Sequence, residues 1–490
     1  MQLVAYGAQD IYLTGNPQIT FFKVVYRRHT NFSIESIEQT FNGTADFGKK
    51  VSCTISRNGD LLHRVYLQTT LPQQQFNFAA GNLTYVNDTS NTDLKAGIVR
   101  WCNWVGEKLV NYAEIEIGGQ RIDKHFGEWL HIWNQLTNKP GHEYSYQRMV
   151  GNIPSLTKNI AQSGESTSIN EQRLYIPLQF WFCRNPGLAL PLIALQYHEV
   201  KINIEFEELK NLLIIASGAA ANSPNLITPN GSLSNTSLWV DYIFLDTDER
   251  RRFAQLAHEY LIEQVQYPGE ETVSTSSNKI RLNFNHPIKE IFWVSQKNKA
   301  IEWKQHFNYT DKLDSSPTLI TDPVGRNWLQ GVIENIELAS NTLADASTTI
   351  FSKALSLKNM DTGLNTCNLA KLQLNGQDRF SERRGDYFNY IQPYNHHTRC
   401  PQLGLNVYSF GLKPEEHQPS GTCNFSRIDN ANLFLTVTNK TINHGAITLT
   451  NGLLVEDDSN NSSNAKVRVY AVNYNVLRIM SGMGGLAYSN

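Results

Sequence analysis

The segment VKINIEF, from Val200 to Phe206, alternates apolar and polar side chains along its whole length. Successive side chains of an extended chain point to opposite faces, so its apolar residues share one face and its polar residues the other. This pattern is typical of a strand in an antiparallel sandwich, buried on one side and wet on the other. The same alternation occurs in AEIEI (113–117), IRLNF (280–284), AKLQL (370–374) and KVRVYAV (466–472).

Asn-Gly pairs occur between these segments and favour tight hairpin turns. They begin at Asn42, Asn58, Asn230, Asn375 and Asn451. Long polar insertions, over 137–174, 217–238, 306–330 and 439–465, are predicted to be surface loops. The sequence therefore predicts an all-β fold.

Several segments of the first half recur in the second half. AEIEIGGQ (113–120) matches AKLQLNGQ (370–377), and Gly127-Glu128-Trp129-Leu130 matches Gly385-Asp386-Tyr387-Phe388. DLLHRVYL (60–67) resembles HPIKEIFW (286–293), and the strand at Val200 is matched with the strand at Val467. Matches in the same order indicate a duplicated β domain, and we predict two sandwiches in tandem.

A helix is predicted between the two halves, over TDERRRFAQLAHEYLIEQ (247–264). Asp246 is placed to cap its N-terminus, with Glu249 at the third helical position. Apolar residues from Phe253 to Leu261 follow at helical spacing and form one stripe. We expect this helix to connect the halves.

The composition indicates a globular protein with no strong charge. The chain has 490 residues, 43 Lys and Arg against 45 Asp and Glu, and 11% aromatic residues. This balance excludes disorder and argues against sequence-specific nucleic-acid binding, which needs a positive surplus. The six cysteines form no CxxC pair, and the N-terminus has no signal-peptide pattern, so we expect a soluble protein made in the cytosol with reduced thiols.

The motifs that could support catalysis or metal binding are incomplete. GTADFGKK (43–50) lacks the Ser or Thr of a P-loop, and His258-Glu259 and His198-Glu199 lack the second histidine of a zinc helix. Zinc at His396-His397 has no second ligand pair at a suitable spacing, and Asp248 beside three arginines favours ion pairing over metal–nucleotide binding. The sequence therefore predicts no enzyme activity, no cofactor and no metal.

Sequons of the form N-x-[ST] are numerous, and in a chain without a signal peptide most are expected to be coincidental. They begin at Asn31, Asn42, Asn82, Asn87, Asn230, Asn235, Asn308, Asn424, Asn439, Asn460 and Asn461. Six of them are the candidate glycosylation sites, namely Asn82, Asn87, Asn230, Asn235, Asn308 and Asn439.

Three segments stand at the start, middle and end of the chain: LVAYGAQDIYLTGNPQITFFKVVYRRHTNF (3–32), LDTDERRRFAQLAHEYLIEQ (245–264) and YNVLRIMSGMGGLAYSN (474–490). Together with ISRNGDLLHRVYLQ (55–68), they closely resemble the major capsid proteins of nucleocytoplasmic large DNA viruses, most of all those of algal viruses. The resemblance implies a double jelly roll, that is, two tandem eight-stranded antiparallel β-sandwiches with short connecting helices.

The resemblance also implies a function. The chain would be the major structural subunit of an icosahedral capsid, forming trimeric, pseudo-hexagonal capsomers around an internal membrane and genome. Its arm and tail would lie at the capsomer base, near neighbouring capsomers, minor capsid proteins and the membrane, and outer loops would form towers that can carry glycans. The base candidates are Tyr12, Leu13, Phe21, Phe22, Arg27, Arg28, Met480, Met483 and Tyr488, and the tail sequence SGMGG is expected to be mobile.

The predicted organisation is a base arm over 1–25, a first jelly roll over 26–245, a connector with a helix over 246–270, a second jelly roll over 271–475 and a tail over 476–490. The expected location is the virion, after synthesis in the host cytoplasm. Two alternatives remain open: a minor or vertex capsid protein with the same fold, and a carbohydrate-binding or carbohydrate-active β-sandwich protein.

Overall fold

The structure is a computed structural model. It describes residues 7–79, 82–85, 93–95, 98–157, 168–216, 229–313, 363–450, 453–457 and 459–488. Four large antiparallel sheets, here called A to D, dominate it and form two rolls.

The first roll contains sheets A and B. Its eight principal strands are β1 Phe32–Gln39, β2 Lys50–Thr54, β3 Leu61–Leu71, β4 Val110–Ile117, β5 Gln120–Phe126, β6 Gln172–Pro177, β7 Val200–Phe206 and β8 Ser234–Leu245. Sheet A has the order β1-β8-β3-β6 with Leu190–Pro191 beside β3, and sheet B has the order β2-β7-β4-β5.

The second roll contains sheets C and D. Its eight principal strands are β9 His258–Gln266, β10 Ser277–Arg281, β11 Pro287–Lys297, β12 Cys367–Leu374, β13 Gln377–Asp378, β14 Leu405–Ser409, β15 Ala431–Val437 and β16 Ala465–Met480. Sheet C has the order β9-β16-β11-β14, and sheet D has the order β10-β15-β12-β13. Glu270–Val273, Cys423–Asn424 and Met483–Leu486 extend sheet C, and Arg383–Arg384 extends sheet D.

The two rolls have the same topology. Each strand of the first roll occupies the same position in its sheet as the strand numbered eight higher occupies in the second roll. Two facing four-stranded sheets in this order form a jelly roll. Every pairing within these sheets is antiparallel. The prediction of an all-β double jelly roll is confirmed.

The internal repeat is confirmed at three of its four matches. AEIEIGGQ forms β4 and the turn into β5, as AKLQLNGQ forms β12 and the turn into β13. DLLHRVYL and HPIKEIFW begin the equivalent strands β3 and β11, and the Gly127 and Gly385 segments both follow the second strand of these hairpins.

The match between the strands at Val200 and Val467 is wrong. β7 lies between β2 and β4, so its equivalent is β15, whereas β16 lies between β9 and β11 and is equivalent to β8. All of these strands alternate, and alternation identifies a strand without identifying its place in a sheet.

The predicted connector helix is half correct. A helix does follow Asp246, but it spans only Thr247–Gln255, and the Asp246 side chain makes no capping hydrogen bond. Leu256 is extended, and the next residues form β9, which pairs with β16 from His258↔Ile479 to Gln266↔Ala471. The helical spacing of the apolar residues is a weak preference, and the tertiary pairing of this strand overrides it.

The remaining elements are short. The smaller strands are Gln74–Ala79, Asn82–Tyr85, Asp93–Lys95, Ile98–Trp101, Ser168–Ile169, Leu213–Ala216, Asn443–His444, Ile447–Thr450, Leu453–Glu456 and Asn461–Ser462. The α-helices are Ile11–Thr14, Val105–Leu109, Gly127–Thr137, Glu143–Val150, Pro154–Thr157, Trp181–Arg184, Leu209–Leu212, Thr247–Gln255, Asn298–Glu302, Gln392–His396 and Asn439–Ile442, with a π-helix over Tyr387–Ile391. Short 3-10 turns occupy Pro186–Leu188, Leu192–Ala194 and Phe425–Arg427.

Each roll has an apolar core formed mainly by the inward side chains of its two sheets, and the core of the first roll also includes Ile262, Leu477 and Ile479 from sheet C. A third core lies between the rolls and joins residues of both. This inter-roll core fixes the two rolls side by side.

Candidate assembly surfaces

The helix Gly127–Thr137 forms the main contact of the first roll with the second. The apolar residues of the first roll in the inter-roll core are Trp104, Trp129, Ile132, Trp133, Leu136 and Val150. They meet the outer face of sheet C, whose residues there are Phe292, Val294, Leu405, Val407, Tyr470 and Val472. Sheet C is therefore buried on both faces, which explains why β11 and β16 carry almost continuous buried positions.

Glycine at the start of this helix is required by a close approach of the backbone. A Cβ on Gly127 would lie 2.2 Å from the carbonyl oxygen of Glu107 and 2.4 Å from that of Val110. Gly385 at the equivalent place of the second roll would bring a Cβ within 2.0 Å of the Cys367 carbonyl oxygen. The Gly-acidic-aromatic motif is thus a structural requirement of both rolls.

A charged network lies inside the inter-roll contact. The Glu128 carboxylate accepts hydrogen bonds from Arg468 Nε at 2.7 Å and the Tyr470 hydroxyl at 2.6 Å, both on β16. The Tyr309 hydroxyl donates to its other oxygen at 2.9 Å. Burial opposes the charge of Arg468, but Glu128 beside it holds the pKa of the guanidinium above its usual range. No local sequence pattern indicates this network, because its members are far apart along the chain.

A cleft of about 620 Å³ opens beside this network, between the rolls. Lys304 Nζ in its wall donates to the Leu213 carbonyl oxygen at 2.7 Å, and His306 Nε2 lies 2.7 Å from the Asn211 carbonyl oxygen. Burial lowers the pKa of Lys304 to about 8 and that of His306 to about 3. Both side chains form hydrogen bonds with backbone carbonyls of the first roll and therefore link the two rolls.

The N-terminal arm, residues 7–31, is exposed and contains only one helical turn, Ile11–Thr14. The predicted base residues Leu13, Phe21, Arg27 and Arg28 are exposed here, and Tyr12 and Phe22 are 90% and 96% exposed. A run of large apolar side chains open to water is typical of an interaction surface.

The C-terminal segment is an ordered hairpin in this structure, contrary to the expected mobile tail. β16 continues to Met480, past the predicted start of the tail, and Met483–Leu486 pairs back onto it. The hairpin also contacts the first roll, because Tyr197 N donates to the Gly482 carbonyl oxygen at 3.0 Å and Gly484 N donates to His198 Nδ1 at 3.2 Å. The predicted base residues Met480, Met483 and Tyr488 are nevertheless exposed on it.

The candidate glycosylation sites differ in their surroundings. Asn230, Asn235 and Asn439 are exposed, Asn82 begins a short strand, and Asn87 lies outside the described residues. Asn308 is half-buried, and its amide donates to Gln305 Oε1 at 2.8 Å and to the Lys312 carbonyl oxygen at 2.9 Å. The Asn308 amide is therefore already engaged in hydrogen bonds within the protein.

The incomplete motifs of the sequence form ordinary structure. The glycines of GTADFGKK have positive φ values of 100° and 69°, and a strand follows them, as in a turn. No cluster of three His, Cys, Asp or Glu side chains suited to a metal ion occurs in the part of the chain that the structure describes. The six cysteines, which all lie in described residues, carry free thiols. Among the described helices, none is long and apolar enough to cross a membrane.

His397, in a histidine pair that the sequence singled out, is part of a buried ion cluster. Its Nε2 lies 3.1 Å from a Glu290 oxygen, and its Nδ1 lies 3.1 Å from a Glu415 oxygen. Burial opposes protonation, but the two carboxylates raise the pKa of His397 to about 9. The cluster links the segment after the helix Gln392–His396 to β11.

Two jelly rolls packed side by side in one chain form a double jelly roll, the fold of the viral capsid proteins that this structure resembles. The fold agrees with the quasi-atomic model of the PBCV-1 virus capsid, with a TM-score of 0.68, and with the crystal structure of PBCV-1 VP54, with a TM-score of 0.67. In both cases the identity is 38%, over 96% of this chain and 100% of that one. The Faustovirus major capsid protein shares the fold, with a TM-score of 0.66 and 14% identity over 97% of this chain and 94% of that chain.

Sequence comparison identifies the family. Residues 20–246 match the N-terminal domain of major capsid proteins, and residues 249–485 match the large eukaryotic DNA virus major capsid proteins. The chain is 50% identical to the major capsid protein of Phaeocystis pouchetii virus and 44% identical to that of Paramecium bursaria Chlorella virus 1, in both cases over 100% of this chain and 99% of the relative. The chain belongs to the family of major capsid proteins of large eukaryotic DNA viruses.

Proposed function

We propose that this chain is the main building block of an icosahedral shell, and that it first forms trimers of pseudo-hexagonal outline. The trimers would tile the shell around an internal membrane and the genome. Synthesis would take place in the host cytoplasm, before assembly. The role is structural and involves no catalysis.

The observation that carries this proposal is the equivalence of the two rolls within one chain. The sheet orders of the rolls correspond strand by strand, and the inter-roll core holds the rolls beside each other. Three such chains around a threefold axis present six similar units, so a trimer acquires a nearly sixfold outline and fits a hexagonal lattice.

Exposed residues of the arm and the C-terminal hairpin support the proposal that these segments form contacts at the capsomer base. Tyr12, Phe21 and Phe22 expose a large apolar area, with Arg27 and Arg28 close by in the sequence. Apolar side chains flanked by arginines suit contacts with neighbouring capsomers, minor capsid proteins or an anionic membrane surface. The formal net charge of −2 keeps repulsion between crowded copies weak.

Light scattering on the purified chain tests the trimer. The expected mass is three times 55.6 kDa and stable on dilution, whereas a stable monomer would contradict the proposal. The number of copies in purified particles tests the main role: hundreds of copies are expected, and only a few copies at vertices would identify a minor capsid protein instead.

A further inference from the structure

The cleft between the two rolls has walls from both of them and the size of a small-molecule site. Its volume of about 620 Å³ lies inside the range of roughly 300–1,000 Å³ in which ligand pockets usually fall. The charged residues of its wall include Lys108 and Glu128 of the first roll and Glu270, Lys304, Lys466 and Arg468 of the second. A ligand held here would therefore contact both rolls.

The acidic side chains of this wall already have cations beside them. The pairs and their nitrogen–oxygen distances are Glu128–Arg468 at 2.7 Å, Glu270–Lys466 at 2.9 Å and Glu302–Lys299 at 2.6 Å. Each carboxylate is thus neutralised within the chain, so the wall has no acidic group left to attract a cationic ligand.

One basic side chain of the wall lacks such a partner. Lys108 Nζ lies 2.8 Å from a Glu207 oxygen. Lys304 has no carboxylate at ion-pair distance among the residues that the structure describes, and its Nζ donates to the Leu213 carbonyl oxygen at 2.7 Å. An ammonium group has three donors, and this residue is only 5% exposed. Lys304 is therefore a buried cation without a counter-charge.

The backbone of Lys304 is unusual as well. The residue comes just after the helix Asn298–Glu302 and has a φ of 56°, in the left-handed region. Gln305 N donates to the Ala300 carbonyl oxygen at 2.8 Å, which is the hydrogen bond of a Schellman motif. Glycine is the usual residue at the left-handed position of that motif, because a Cβ is unfavourable there.

Two unfavourable features thus coincide on one lysine in the wall of a cleft. Strained backbone and buried, perturbed titratable groups both concentrate at functional sites. The hydrogen bond to Leu213 does not by itself require a charge, since a neutral donor would supply it with less desolvation. Burial lowers the pKa of Lys304 to about 8, so the amine is still mostly protonated at pH 7.

The groups beside Lys304 favour an anion over other ligands. His306 lies in the same wall, and burial, with Lys108 and Lys304 nearby, lowers its pKa to about 3, so it is neutral at pH 7. Lys108 and Lys304 therefore supply the positive charge of this side of the cleft. A hydrogen bond between an ammonium and an oxyanion is strong in a site with little water.

We propose that the cleft binds a small anion that carries a carboxylate or phosphate group, and that this group pairs with Lys304. The ligand supplies the counter-charge that the chain does not. It contacts both walls, so its binding stabilises the contact between the rolls. The inference does not depend on the proposed trimer, since the cleft lies within one chain.

Thermal unfolding of the purified chain tests the site with two simple anions. Sodium phosphate and sodium benzoate are each compared at pH 7 with sodium chloride at the same ionic strength. At least one of them is expected to raise the melting temperature by about 1–2 °C. The larger shift identifies the preferred group, phosphate or carboxylate.

Lys304→Met removes the amine and keeps a side chain of similar length. The shift is expected to disappear, and the apparent dissociation constant to rise by about tenfold or more, because the charged partner of the anion is lost. Lys413→Met is the matched control: this lysine of the same roll pairs with Glu416 at 2.9 Å on the surface, so the shift should remain. Circular dichroism checks that both variants fold.

Labelling of the unmodified chain gives a readout that needs no variant. Pyridoxal 5′-phosphate carries both a phosphate group and an aldehyde, which forms an imine with an unprotonated lysine amine. After borohydride reduction, peptide mass spectrometry is expected to find Lys304 labelled several-fold more than Lys413, and the label at Lys304 should fall when inorganic phosphate is added.

The outcomes decide between a site and general attraction of anions to the protein surface. A shift that is lost in Lys304→Met and kept in Lys413→Met supports the site, as does preferential labelling of Lys304. The proposal is overturned if neither anion shifts the melting temperature of the wild-type chain, if the shift persists in Lys304→Met, or if Lys304 is labelled no more than Lys413. The proposed capsid role would stand in each of those cases.

Discussion

The carboxylate of Glu128, at the start of the first-roll helix, accepts a 2.6 Å hydrogen bond from the hydroxyl of Tyr470 on the last long strand of the second roll. The two residues are far apart in the chain and meet in an apolar contact that also holds Arg468 and Tyr309. A mostly buried charge pair requires well-defined geometry, since its partners have lost most of their water. The network therefore helps to fix one orientation of the two rolls.

Glu128→Gln tests the strength of this network. The substitution removes the nearer counter-charge of Arg468 and leaves only the exposed Glu270, whose carboxylate lies 3.5 Å from Arg468 Nη1, so the free energy of unfolding is expected to fall by about 2 kcal/mol. Glu259→Gln is the matched control, because Glu259 pairs with Arg478 at 2.8 Å on the surface, and it should cost less than about 1 kcal/mol. Denaturant unfolding of both variants gives the comparison, and equal losses would show that the buried pair has no special role.

Trp129→Ala tests the apolar part of the same contact. Trp129 is fully buried between the rolls, where its ring lies 5.3 Å from that of Phe292 and 6.0 Å from that of Tyr470. Removal of so large a side chain is expected to cost about 3–5 kcal/mol. Thermal unfolding should show the loss, whereas Tyr144→Ala on the surface should change stability little. An unchanged melting temperature for Trp129→Ala would contradict the role of this helix.

The sequence predicted the strands and the duplication well, because one-sided burial leaves an alternating pattern in segments such as VKINIEF. It did not predict β9, since HEYLIEQVQ is stabilised by pairing with β16, more than 200 residues away. It also assigned Val467 to the wrong equivalent strand, because alternation carries no information on sheet order. The Glu128 network left no local pattern, although the Gly127 motif that positions it was visible as a repeat.

Phe21→Asp combined with Phe22→Asp tests the N-terminal arm. The arm is exposed in the single chain, so the melting temperature and the trimer mass are expected to stay unchanged. Association of trimers into larger shells should be lost, because charged groups would replace the apolar contact. Light scattering and electron microscopy of assembly mixtures give the readout. If the double variant forms normal shells, these two side chains do not contribute to the contacts at the capsomer base.

The sequons are predicted to differ in glycan occupancy on virion-derived protein. Asn230, Asn235 and Asn439 are exposed, whereas the Asn308 amide donates two hydrogen bonds and the Thr310 hydroxyl of its sequon is bound to Asn308 Oδ1 at 2.7 Å. Any glycan is therefore expected at the exposed sites and not at Asn308. Peptide mass spectrometry checks this, and a bare-chain mass would exclude modification at every site.

The His397 cluster predicts a pH dependence of stability. His397 is buried between Glu290 and Glu415, and its pKa is raised to about 9 from an ordinary value of 6.5. A raised pKa contributes stability that is fully present below about pH 6.5 and is lost as the pH rises through about 9. The free energy of unfolding is therefore expected to fall over this window by an amount on the order of 3 kcal/mol.

His397→Gln isolates this contribution. Lys304 acts in the opposite direction, because burial lowers its pKa from 10.5 to about 8, so the cost of burying its charge is relieved and stability rises between about pH 8 and 10.5. The difference between wild type and His397→Gln cancels the Lys304 effect, since both chains contain that lysine. Denaturant unfolding at pH 6 and pH 9.5 should show a large difference at the lower pH and a small one at the higher pH. A difference that is the same at both values would mean that His397 is neutral in the folded chain and stabilises it by packing alone.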